Sequence, residues 1–268
     1  MGKTHTVWLL AGACQERGKR LLAIDADTQG NLTRSLLPDG ELPTPGLEAL
    51  FNPAADADPR QLVRRTRFSE IDLIPASAAL APLDPSDQRS WEKADLHLSL
   101  VDAVAELRGQ YDYIVFDCPP RLSLVSFAAL CASDFVVIPL EAADWGAQGI
   151  VQVTAAVEYV QARHNAQLRL LGYLVSRFKR ARSYQCSYLA QLRKHFGKLA
   201  FDTVIPDRAP FEKSVTHGVP ISLSAPASFE AGIGRRLFAE VNRRISRAGA
   251  SGPGGRRKDV QPVRAVAA

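Results

Sequence analysis

Short, almost continuously apolar segments recur along this 268-residue chain: LLAID at 21–25, IDLIP at 71–75, YIVFD at 113–117, FVVIPL at 135–140, LLGYLV at 170–175 and FDTVIP at 201–206. They are too short for helices and lack the polar alternation of a half-exposed strand. Parallel strands buried on both faces read this way. Helical patterns at 95–108, 122–131, 147–162, 184–196 and 227–246 separate nearly all of them. The alternation predicts an α/β fold with a doubly wound, mostly parallel sheet flanked by helices, whose ligands sit at the carboxyl ends of the strands. With 46% hydrophobic and 23% charged residues, the chain has the composition for one such domain, expected over residues 1–247.

Elsewhere the pattern is weaker. Five prolines between Pro38 and Ser69 limit that region to loops and short helices. From Ala248 the sequence is rich in Gly, Pro and Arg without apolar periodicity, and 248–268 is expected to be a disordered basic tail. The cysteines show no metal-ligand spacing, and no apolar run approaches the roughly 18–20 residues of a membrane span, so a cytoplasmic protein without membrane contact is expected.

The chemistry lies at the ends of elements. Gly2-Lys3-Thr4 opens a helical pattern that runs from Thr4 to Arg17 and stops at Gly18, a residue suited to a left-handed cap. A glycine there admits backbone N–H groups to phosphate oxygens, a lysine balances their charge, and a hydroxyl ligates Mg²⁺. Asp117, closing an apolar strand before Cys118-Pro119-Pro120, has the position of an acid that holds Mg²⁺ through water. Asp25 and Asp27 flank Ala26 at another strand end, one expected to support Mg²⁺ and the other to orient an attacking water. The expected chemistry is ATP hydrolysis with Mg²⁺.

The segments GKTHTV, KRLLAIDADTQGNLT, YDYIVFDCPP, FDTVIP and EKSVTHGVPI together resemble the ParA/Soj class of DNA-partitioning ATPases, P-loop proteins with a deviant Walker A loop and relatives of MinD. The resemblance spans Gly2 to about Arg247. It implies that Gly2, Lys3, Thr4 and His5 match the end of the phosphate loop, His5 standing for its last threonine. It further implies that Asp27 positions the hydrolytic water, that Asp117 lies near Mg²⁺, and that Pro206 starts the loop bordering adenine, with Arg208 where relatives often carry asparagine. Thr28 replaces the usual proline. Family members carry a strand and a Lys-Gly-Gly run before this point, so the first strand is expected to be missing from the chain as written, leaving unpaired edges inside the sheet. Met1 stands where the family often has valine, which suggests a misassigned start; upstream DNA decides it.

Partners follow from charge. Between Glu158 and Asp202 no acid occurs, whereas Arg177, Lys179, Arg180, Arg182, Arg193 and Lys194 do, and the chain carries a formal +5. Such one-sided charge predicts nonspecific DNA binding and association with the nucleoid. The resemblance implies an ATP-bound homodimer released by a ParB-like partner. A MinD-like positioning switch, a catalytically impaired DNA-binding or scaffold paralogue, and a small-molecule P-loop enzyme are the other classes open at this point.

Overall fold

Leu21–Asp25, the first strand (β1), is buried at every position, and its side chains divide between two cores. Leu22 and Ile24 join the apolar cluster on one face, Leu21 and Ala23 the cluster on the other. The period-two alternation of a strand thus explains why the run has no polar face. The computed structural model describes residues 2–37, 42–83, 95–120, 122–142, 146–250 and 264–267. The remaining strands are β2 (Arg64–Arg65), β3 (Ile71–Ile74), β4 (Tyr113–Asp117), β5 (Phe135–Glu141), β6 (Arg169–Ser176) and β7 (Arg264–Ala267). The helices are α1 (Lys3–Glu16), α2 (Asn31–Leu36), α3 (Pro59–Leu62), α4 (Ser99–Leu107), α5 (Leu124–Ala132), α6 (Gly146–Arg163), α7 (Ser183–Phe196), α8 (Ala209–Thr216), α9 (Ile221–Ser224) and α10 (Phe229–Ala250), with short 3-10 turns between.

The strands form one seven-stranded sheet in the order β2-β3-β1-β4-β7-β5-β6, parallel except for β2 against β3. Helices α1, α8, α9 and α10 cover one face, while α4, α5 and α6 cover the other, giving the expected doubly wound architecture. Trp8 on α1 is 1% exposed and donates its indole N–H to the Ser214 hydroxyl on α8 at 2.8 Å. Helix α1 closes at Gly18, φ +60°, with Lys19 N–H bonded to the Cys14 carbonyl and Gly18 N–H to that of Gln15, the paired bonds of a Schellman cap.

Two expectations are corrected here. FDTVIP follows β6 as a broken line, not a strand: Phe201 N–H and Ile205 N–H bond to the Tyr173 and Val175 carbonyls, with bridges only at Ala200 and Pro206. The interruption has a cause, because the buried Glu240 carboxylate takes the Asp202 and Thr203 N–H groups at 2.9 and 2.8 Å. The second correction concerns the tail. Helix α10 continues to Ala250, and Arg264–Ala267 is an interior strand, pairing with Tyr113–Phe116 of β4 and with Phe135 and Val136 of β5. Backbone hydrogen bonding, which is indifferent to side-chain composition, places those residues in the sheet and meets edges that were expected to be unpaired. Residues 251–263 lie outside the described residues.

Candidate functional site

The carboxyl ends of β1, β4 and β6 face a cavity of about 590 Å³ whose lining includes Gly2, Lys3, Thr4, His5, Asp27, Arg177, Pro206, Asp207, Arg208 and Phe211. Gly2 adopts φ +73°, and a Cβ there would collide with the Ser176 hydroxyl, so only glycine fits between the end of β6 and the start of α1. From Gly2 the chain turns directly into α1, whose first N–H groups have no partners within the helix. An anion in the cavity would meet those groups and the positive end of the helix dipole.

Lys3 reaches across to β4 and donates its ammonium to the Pro119 carbonyl at 2.6 Å. Burial holds its pKa below the usual lysine value, against the opposing pull of Cys118, Asp117 and Asp27. Asp117 is 1% exposed. The Thr4 hydroxyl is near enough to favour its ionised form, yet neither carboxylate oxygen completes a hydrogen bond of ordinary geometry. Burial first, and the charge of Asp25 second, push the Asp117 pKa well above the ordinary carboxylate value. A buried carboxylate in this condition suits a divalent cation beside Thr4. Among the described residues no three acidic, histidine or cysteine side chains converge on one point, so most of the coordination of such a cation would come from water and from a phosphate ligand.

Asp25 and Asp27 diverge because β1 ends at Asp25 and the chain turns before Asp27. Asp27 lines the cavity, half-buried, with one oxygen accepting from Gln29 N–H at 2.9 Å. Asp25 is fully buried and accepts from Asp27 N–H, Thr33 N–H and the Thr33 hydroxyl at 3.2, 2.8 and 2.7 Å. Those bonds occupy its oxygens with the β1–α2 turn, so its expected metal role gives way to anchoring Asp27.

The sequence profile of the AAA domain family matches residues 1–170. The chain is 31% identical over 246 residues to the sporulation initiation inhibitor protein Soj of Bacillus subtilis, covering 90% of this chain and 93% of the relative. It is 33% identical over 254 residues to the chromosome-partitioning ATPase Soj of Thermus thermophilus, covering 92% and 93%. The chain belongs to the ParA/Soj family. Among solved structures it is similar to a cobyrinic acid a,c-diamide synthase from Mycobacterium smegmatis crystallised with ADP and magnesium, at 28% identity and TM-score 0.73, covering 95% of this chain and 94% of that one.

At the position of the ParA/Soj loop's last threonine, His5 packs its ring edge-on against Phe211 with centroids 4.9 Å apart. Burial, followed by the charge of Arg177, depresses its pKa to about 4, which leaves a neutral imidazole at pH 7. Its Nε2 is buried and has no hydrogen-bond partner among the described residues. Pro206 and Arg208 also line the cavity, just before α8, and the Arg208 guanidinium is fixed by Glu230 at 2.9 Å and lies over the Phe229 ring. Sequence reasoning missed the α8 wall, Phe211 and Glu212, and the Asn31 and Arg34 side chains of α2. The left-handed Gly30 that starts α2 was the available signal for the latter.

The basic stretch of this ParA/Soj protein is divided among several elements. Arg177 lines the cavity, and Lys179 pairs with Asp207 at 3.0 Å. Arg180 and Arg182 are exposed before α7, while Arg193 and Lys194 are exposed in its last turn, roughly 15 Å away at 1.5 Å per residue. Arg193 also donates to the Asp202 carbonyl at 3.1 Å.

The raised carboxylates set a pH dependence. The Asp25 pKa is raised to about 6, mainly by burial, against the opposing hydrogen bonds from Thr33 and from Asp27 N–H. An acid with a folded-state pKa above its unfolded value makes the folded state bind the extra proton, so its stabilising effect is complete below pH 3.8 and is lost as pH rises through about 6. Asp117→Asn removes one of the two carboxylates. The ligand-free variant is therefore expected to exceed the wild type in stability at pH 7, with the gap closing towards pH 4. Denaturant titrations at both pH values check this; a gap unchanged with pH would contradict it.

Proposed function

We propose that this chain is an ATP-switched, nonspecifically DNA-binding protein of DNA segregation. The observation that carries the reading is the convergence of the α1 N-terminus, Lys3 and Asp27 on one cavity, with the unsatisfied Asp117 carboxylate buried beside Thr4 and Lys3. Relatives named as chromosome-partitioning proteins support it. When bound, ATP with Mg²⁺ supplies the scissile phosphoryl bond and the cation that offsets its charge. The first N–H groups of α1 and the Lys3 ammonium bind the phosphate oxygens. Thr4 and Asp117 hold the cation, and Asp27 orients the attacking water from the turn that Asp25 fixes. Hydrolysis is slow until a ParB-like partner stimulates it, and the ATP-bound homodimer is the DNA-binding form in the cell's nucleoid. Among the described residues no helix is long and apolar enough to cross a membrane.

The similarity to a diamide synthase keeps a small-molecule reaction as the second reading. ATP turnover measured with and without DNA, a ParB-like partner and candidate metabolites separates the two. Stimulation by DNA with the partner supports segregation; turnover that requires a metabolite overturns it.

Lys179, Arg180 and Arg182 sit together beyond β6, at the same edge as the cavity. Replacing all three with glutamine is expected to weaken binding to every DNA sequence alike. It should also flatten the dependence of log affinity on log salt by roughly 0.9 for each phosphate that the cluster no longer neutralises. Filter binding at several salt concentrations reads both effects, and unchanged affinity would remove this cluster from the interface.

A further inference from the structure

Among the described residues of the basic stretch, Arg177 is the one that lines the cavity at the start of α1. It follows Ser176, the residue against which Gly2 is pressed, and it lines the cavity together with Gly2, Lys3, Thr4 and His5. Its backbone is left-handed at φ +51°, a conformation a side chain of this size rarely adopts. Strain of that kind persists where surrounding structure fixes it and is found disproportionately at ligand sites. Its guanidinium is held loosely, by Glu141 at 3.8 Å and Glu212 at 3.7 Å, both longer than a charge-assisted hydrogen bond. Its charge is felt by His5, one residue beyond Thr4 in the first turn of α1.

We infer that Arg177 is a nucleotide-contacting residue, which turns from its two acidic neighbours to the phosphate nearest the nucleoside. The placement follows from the elements that meet at the cavity. Lys3, at the start of α1, bonds to the Pro119 carbonyl beyond β4, Pro206 and Arg208 stand immediately before α8, and Arg177, which follows β6, shares the lining with His5. A phosphate bound here would lie within the cavity that Arg177 and His5 share, and the Arg177 guanidinium supplies its counter-charge. This inference rests on the nucleotide reading above and adds a residue to it.

The test is calorimetric titration of the full chain with ADP·Mg²⁺, AMP and adenosine, for the wild type, Arg177→Gly, Arg177→Ala, Arg177→Lys and, at an exposed lysine away from the cavity lining, Lys198→Gln. Glycine is at ease at a left-handed position and alanine is not, so the first pair separates loss of the guanidinium from a change in backbone strain. Both are expected to bind ADP and AMP about tenfold or more weakly, with adenosine affinity unchanged. Arg177→Lys should recover part of the loss, and Lys198→Gln should match the wild type. If Arg177→Gly binds ADP like the wild type, or loses adenosine to the same extent, the inference is overturned while the nucleotide reading stands. A wild type that binds no nucleotide overturns both.

Discussion

Alanine in place of Lys3 is expected to reduce ATP turnover by about 10² to 10³-fold, the scale of removing one fixed donor from a developing phosphoryl charge. Folding should not suffer. The ammonium is taken out of water and held against the Pro119 carbonyl, so its removal relieves a desolvation cost while giving up one hydrogen bond. Lys3→Arg is not expected to restore activity, since a broad planar guanidinium cannot occupy the place of a compact ammonium beside Pro119 and Asp117. Phosphate release and thermal unfolding read the two effects separately. Retained turnover in Lys3→Ala would mean that the phosphate loop is elsewhere.

Trp8→Ala is expected to destabilise the fold by about 3–5 kcal/mol, the range for emptying a large buried aromatic site. Against a typical net stability of about 5–15 kcal/mol, that leaves little margin. The effect reaches the site, because Trp8 joins α1, which carries the phosphate-binding end, to α8, which carries Phe211 and Glu212. Trp8→Phe should cost much less, since most of the volume remains. The Ser214 hydroxyl it would leave also donates to the Val219 carbonyl at 2.7 Å. Equilibrium denaturation measures both; equal losses in the two variants would contradict the packing account.

The interior strands were legible in the sequence because burial on both faces leaves an unbroken apolar signature, as in LLAID and YIVFD. The same signature misled at FDTVIP, where the run is apolar but Glu240, distant in sequence, takes the backbone N–H groups that a strand would need. Strand β7 was illegible for the opposite reason. RAVA lies in a Gly, Pro and Arg-rich stretch, and its place in the sheet depends on a gap between β4 and β5 that no local pattern records.

The site divided in the same way. The gathering of Gly2, Lys3, Thr4, Asp27 and Asp117 at one edge was legible because each lies at or just beyond the end of an element, and the topology brings such ends to one edge of the sheet. The different fates of Asp25 and Asp27 depend on Thr33, whose hydroxyl becomes a partner only once α2 folds back over β1. Arg177 read as surface charge because Glu141 and Glu212, the acids that flank it, come from β5 and α8 and are far from it along the chain. Lys179 was likewise balanced by an acid outside the acid-free stretch, Asp207.

The measurement closest to the central claim is calorimetric titration of the chain with ADP, with and without Mg²⁺, for the wild type and Asp117→Asn. Saturable binding by the wild type, tightened by Mg²⁺, is the predicted result, and the Mg²⁺ effect should be lost in the stably folded Asp117→Asn variant. Heat no greater than dilution for a folded wild type, or a Mg²⁺ effect that survives the substitution, would contradict a phosphate-and-cation site between α1 and β4.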